Sequence, residues 1–171
     1  MVVALTLVGC GGPAAETPEP APSSPEEAAI GIESLPDIDA ARAEMIDLVD
    51  RVRSLVARTV PETEPWRVAG SEMSPGCVDE VSGQHGAAVY LPMWVSSRGL
   101  TSEEWRRLFP MVQELAAQDG LVGSWQPDTV AEKHDVRFTS PDGRSLMFGS
   151  AVATVIRGTV VCRRHADAPP S

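Results

Sequence analysis

Between Gly11 and Asp39 the chain carries seven acidic residues (Glu16, Glu19, Glu26, Glu27, Glu33, Asp37, Asp39), not one basic residue, and six of its 15 prolines. A stretch so polar and so rich in proline cannot bury enough apolar surface to offset the entropy of ordering its backbone. Residues 11–38 are therefore expected to form a disordered, acidic, proline-rich linker. That confines the fold to residues 39–164, enough for one globular domain, and leaves 165–171 as a loose C-terminal tail. The whole chain of 171 residues has a formal charge of −10. Such a balance argues against a nucleic-acid partner, since phosphate contacts need a basic surface. No apolar run reaches the roughly 18 residues of a membrane-spanning helix.

Ahead of the linker, Met1 to Val8 are almost all apolar, and Leu7-Val8-Gly9-Cys10 is followed by Gly11-Gly12. This pattern is similar to a bacterial lipobox, in which small residues precede a cysteine that becomes the acylated N-terminus. Residues 1–10 are accordingly expected to be a truncated signal segment, with Cys10 as the lipidation site. Several acyl chains, each contributing about 0.8 kcal/mol per buried CH₂, would hold the protein on the membrane while the linker lifts the domain off the headgroups. None of residues 1–9 is Lys or Arg, whereas signal segments start positively charged. Translation is expected to begin upstream of Met1.

Removing Cys10 leaves Cys77 and Cys162, an even number in a chain expected to be exported. Bridged, they would close a span of 85 positions and tie the front of the domain to its last strand. Unbridged, they would be two buried thiols. No Cys-x-x-Cys or His-x-x-x-His pairing suggests a metal site, and no cofactor is expected.

Within the body, Ala41, Met45, Leu48, Val52, Leu55 and Val56 recur at helical spacing, with Asp37 or Asp39 as cap and Pro61 as terminator. Thr101-Ser102-Glu103-Glu104 reads as a capping box that opens a second helix. Its stripe is Trp105, Leu108, Val112 and Leu115, Pro110 should kink it, and Gly120 should stop it. Strands are expected at Trp66–Val68, Ala87–Val95, Leu121–Trp125, Val136–Thr139, Arg144–Phe148 and Ala153–Cys162, with Pro92 placing its strand at a sheet edge. The segment leading to Cys77 reads as a loop. These elements predict an α+β two-layer domain, two helices packed on one face of a mostly antiparallel sheet of about five strands.

The order of these features resembles the actinobacterial LppA-like lipoproteins. They are an amphipathic helix, a Trp before the first body cysteine, a Thr-x-x-Glu-capped helix, and a late Thr154-Val155-Ile156-Arg157-Gly158 strand ending in cysteine. The resemblance spans about Ala40 to Cys162. It implies a membrane-anchored surface lipoprotein of unassigned biochemical role, with Cys77 and Cys162 disulfide-linked. Cys162 lies four positions after Gly158, and even spacing would keep it on the same strand face.

Chemistry is thinly marked. No nucleophile elbow, phosphate-binding glycine loop or zinc-protease motif occurs, and His85, His134 and His165 lie far apart. A Cys77–His85 nucleophilic pair would need a free thiol. Asp37 and Asp39, like Glu103 and Glu104, suit helix starts. Trp66, Trp105 and Trp125 fit core positions. Trp94 is expected partly exposed, and with Tyr90 it forms a candidate patch for an apolar ligand or protein partner. Arg137, Arg157 and Arg163 alternate with apolar residues and are expected to face solvent. The function expected is a non-catalytic, lipid-anchored envelope module that binds a partner or supports the surface layer, on the extracytoplasmic face. The alternatives are a small carrier or chaperone for an apolar or lipid ligand, and an exported hydrolase.

Overall fold

Eight short strands and two helices follow the chain in the computed structural model, which describes residues 30–127 and 133–166. The expected signal segment, Cys10 and most of the linker lie outside these residues, as does the tail beyond residue 166. The long helix α1 (Ile38–Thr59) starts at Asp37, whose carboxylate accepts a hydrogen bond from the Ala40 N–H at 2.9 Å. It buries Ile38, Ala41, Met45, Leu48, Val49, Val52 and Val56, while Leu55 is half-buried. Strands β1 (Trp66–Ala69), β2 (Gly76–Val78), β3 (His85–Tyr90) and β4 (Met93–Ser96) come next. Helix α2 (Ser102–Gln118) has the expected capping box. The Glu104 N–H donates to the Thr101 hydroxyl at 3.2 Å, and the Thr101 N–H donates to the Glu104 carboxylate at 2.8 Å. It runs on through Pro110, which lies on its exposed side, and ends before Gly120, whose φ of +82° suits a residue without a Cβ. Strands β5 (Gly123–Trp125), β6 (His134–Thr139), β7 (Arg144–Ser150) and β8 (Thr154–Arg163) complete the chain.

The sheet is antiparallel throughout, in the order β1-β4-β8-β7-β6-β5. β3 also pairs with β8 and carries β2 on its far side. β8 is therefore the hinge-pin of the sheet, flanked on one side by β7 and on the other by β4 and then β3. Both helices cover one face. α1 lies on β8 and β3, and α2 lies against α1 and β6. Between them Leu48, Val52, Leu108, Val112, Phe138, Leu146, Phe148, Ile156 and Val160 form a core with next to no solvent exposure.

The architecture is the expected α+β arrangement, with eight strands in place of about five. β2 falls where a loop was expected, because three residues are too few to show a period. The stretch Ala87–Val95 is two strands, β3 and β4, both hydrogen-bonded to β8. Tyr90 pairs with Thr159 and Trp94 with Ile156, so four residues on one side face three on the other. Leu91 and Pro92 fill this bulge. The Leu91 N–H donates to the Gly158 carbonyl at 3.0 Å, and Pro92, which has no N–H, sits where none is needed. Pro92 thus marks an interior break and not a sheet edge.

A second bulge lies in β8. Val89 pairs with Val160, but Ala87 pairs with Arg163, so β8 holds one extra residue there. The extra residue reverses the alternation. Arg163 turns into the core side and is fully buried, contrary to the expected solvent-facing position. Cys162 lies on the opposite side from Arg163, so the even-spacing argument for its face fails at this bulge. The ordered body also begins earlier than residue 39: Ile32–Ser34 form a 3₁₀ turn, and Ile32 is buried. Trp66 and Trp105 are core residues as expected, whereas Trp125 is 62% exposed on the edge strand β5.

Candidate functional site

Cys77 on β2 and Cys162 on β8 are joined by a disulfide with Cα atoms 5.7 Å apart. β3 runs between these strands, and two flat strand spacings would put them nearly 10 Å apart, so the sheet folds sharply here. Gly86, the partner of Cys77, makes that fold feasible, because a Cβ at this position would collide with the Arg163 carbonyl. The bond also removes the thiol that a Cys77–His85 nucleophilic pair would need. Among the described residues no group of three or more His, Cys, Asp or Glu is arranged to hold a metal ion, and no helix is long and apolar enough to cross a membrane.

Beside the disulfide, the buried Arg163 guanidinium donates to the carbonyls of Cys162 and Asp142 and lies 3.2 Å from the Asp142 carboxylate. Burial pulls the Arg163 pKa down, against the Asp142 charge that supports it. For Asp142 burial is the largest single influence and favours the neutral acid. The Ser140 hydroxyl, Arg144 and Arg163 together outweigh it, and the pKa falls below the ordinary carboxylate value. Arg144 links this cluster to α1 through Glu44 at 2.8 Å and to the Asp119 carbonyl at 3.0 Å.

Two surfaces carry the residues suited to recognition. The first is a groove of about 210 Å³ beside α1. Ile46 and Val49 of α1 face Leu91, Pro92 and Trp94 across it. Its rim holds the bidentate ion pair of Arg42 with Glu72, both bonds 2.8 Å. Arg53, one turn past Val49, lies over the Trp94 ring at 4.4 Å and reaches Asp50 at 3.2 Å. The Arg53 Nε is buried with no hydrogen-bond partner among the described residues. An apolar floor with charged groups at its edge is the composition of a site that takes an apolar group and orients it by a polar one.

The second surface is the sheet face that carries no described helix. Residues directly opposite in an antiparallel pair share a face. The pairs Trp125–Arg137, Arg137–Met147 and Met147–Arg157 therefore make one row across β5, β6, β7 and β8. Tyr90 extends the row onto β3, with the Arg157 guanidinium 5.7 Å from its ring centre. Tyr90 and Trp94, expected to form one patch, are thus on opposite faces, because the Leu91-Pro92 bulge reverses the alternation between them. Trp94 joins the groove and Tyr90 the open face. The groove residues on α1 were legible in principle, since Arg42, Ile46, Val49 and Arg53 form a stripe beside the core stripe.

His134 stacks on Trp105 at 4.7 Å, and Trp105 stacks on Phe148 at 4.8 Å. His85 is exposed at the start of β3 and His165 lies just past β8, so the three histidines are not brought together.

Comparison with known proteins places the chain. A DUF4853 family protein from Actinomyces odontolyticus has a similar crystal structure, with a TM-score of 0.58 at 14% identity over 83% of this chain and 76% of that one. LppA from Mycobacterium tuberculosis is similar in fold, with a TM-score of 0.57 at 14% identity over 81% of this chain and 86% of that one. No curated protein matches by sequence. Residues 14–166 match the model of the family LppA, described as a lipoprotein confined to pathogenic Mycobacterium. With every described residue inside that match, the chain belongs to the LppA lipoprotein family.

Proposed function

We propose that the protein is a non-catalytic module of the cell envelope, anchored on the extracytoplasmic face by a lipid on Cys10, and that it works by binding a partner through the Trp94 groove. Family membership supports the lipoprotein class. The observation that carries the binding reading is the groove itself, where the Trp94 ring is held between Arg53 and an apolar floor, with the Arg42–Glu72 pair at the rim. Such a site suits one apolar side chain or acyl end flanked by a polar group. It falls below the roughly 300 Å³ at which pockets for drug-sized ligands begin. The space between helices and sheet is filled by Met45, Leu48, Leu108 and Phe148, which weighs against a carrier that engulfs its cargo.

Two measurements test the reading. In detergent-phase partitioning of cells expressing the protein from its own locus, with the in-frame sequence upstream of Met1 kept, the wild type should enter the detergent phase and Cys10→Ala should remain aqueous. Wild type found in the aqueous phase, with an unmodified thiol by mass spectrometry, defeats the anchor. A photocrosslinking residue at position 94 should yield a defined adduct in intact cells that is missing when the probe is at Arg106 on the far side of α2. Equal labelling from both positions defeats the groove.

A further inference from the structure

We infer that the open sheet face, with Arg137 and Arg157 at its centre and Trp125 at its edge, rests directly on an anionic phospholipid surface. The inference rests on the membrane-anchored reading above, because a tether keeps the domain beside the bilayer that this face contacts.

Three observations lead there. The first is charge. Although the chain as a whole is at −10, this face carries Arg67, Arg137 and Arg157 against Asp135. Arg67 shares the face through the Arg67–Val95–Val155 pairs, and Asp135 through Gly149. The face thus carries three arginines against one aspartate on an otherwise acidic molecule, and this local net of +2 favours its approach to an anionic surface.

The second is the kind of residue between the charges. Trp125 is 62% exposed and Tyr90 37%, with Met147 half-buried between Arg137 and Arg157. Indole and phenol rings settle at the boundary between headgroups and acyl chains, where one end of the ring stays wet. Arginine stems can lie along apolar surface while their guanidinium groups meet phosphate. The row from Trp125 to Tyr90 crosses five strands, about 19 Å at the usual spacing, on a face free of described helices.

The third is where the tether arrives. Ile30, the first described residue, lines the same shallow groove as Val161 of β8. Val161 is exposed and follows the buried Val160, so it belongs to the open face. Four residues back along β8 is Arg157, about 13 Å away. The described chain therefore begins at the rim of the face assigned to the membrane. Of the three carboxylates in that groove, Asp79 and Asp142 are engaged internally, with Ser82 and with Arg144 and Arg163 respectively, while Glu80 is exposed at its edge.

The test is co-sedimentation of the full chain carrying Cys10→Ser, so that no acyl group contributes. Vesicles of phosphatidylcholine with phosphatidylglycerol are compared with vesicles of phosphatidylcholine alone. Binding to the anionic vesicles alone, weakened by raised salt and lowered about twenty-five-fold in R137Q/R157Q, is the expected result, at about five-fold per arginine. Trp125→Ala should weaken it further without removing the salt dependence. R106Q/R107Q, which alters exposed residues of α2, should leave it unchanged. Failure to bind, equal binding to neutral vesicles, or equal losses in the two double variants each overturns the inference. So does a photocrosslinker at position 137 that captures protein and no lipid in intact cells. Because the acyl anchor is absent throughout, these outcomes are separate from those of the partitioning experiment.

Discussion

Arg163 and Asp142 form the pair on which the clamped end of the sheet depends. A charge so fully buried is tolerable only while its partner and its two carbonyl acceptors are present. Asp142→Ala should therefore cost about 3–5 kcal/mol in urea unfolding, and R163M distinctly less, since it removes the buried charge together with its need for a partner. Glu104 acts at the surface. The Arg98 guanidinium, at 2.7 and 2.9 Å, and the Thr101 N–H hold its pKa at about 2, below the ordinary 4.5. A depressed carboxylate stabilises the fold above its unfolded pKa, and the gain disappears as pH falls from 4.5 through 2. The wild type should lose stability over that window, and Glu104→Gln should show a shallower loss in denaturant midpoints taken at pH 7 and pH 3. Thr101 and Glu104 were legible in sequence because a capping box is local. Arg163 was not, since its burial depends on one extra residue in a strand pairing that no local pattern encodes.

The same contrast holds for whole elements. Both helices could be read from their apolar stripes and caps, because each is decided within a few turns. Thr101→Ala should lower the stability of the domain by about 1 kcal/mol, seen as a drop in Tm. The strands were harder. Residues 87–95 are uniformly apolar, so their composition hides the break at Leu91-Pro92 that sends Tyr90 and Trp94 to opposite faces. That break also split a patch expected as one site into the groove and the open face. Gly86 is decisive for β2, β3 and β8. Gly86→Ala should force β3 away from Arg163 and slow or prevent closure of the disulfide, measured as free thiol remaining after oxidative refolding.

For the molecule as a whole, the bond from Cys77 to Cys162 closes 85 positions. On the loop-entropy account this contributes about 4–5 kcal/mol, which C77A/C162A should lose in denaturant unfolding. The fold class was legible because each helix is followed by a run of strands, a pattern that points to helices on one face of an antiparallel sheet. The two candidate surfaces were not, because each gathers side chains from three or more elements. One stitch among those elements bears on how the domain withstands being pulled. The Ile38 N–H at the first turn of α1 donates to the Arg164 carbonyl just past β8, two residues beyond Cys162. Traction along the chain ahead of Ile30 must draw Ile32 out of its socket and part that stitch before α1 can begin to peel. The first resistance it meets is thus the covalently fastened corner of the sheet. A taut leash tugs on the part of the molecule least able to come undone.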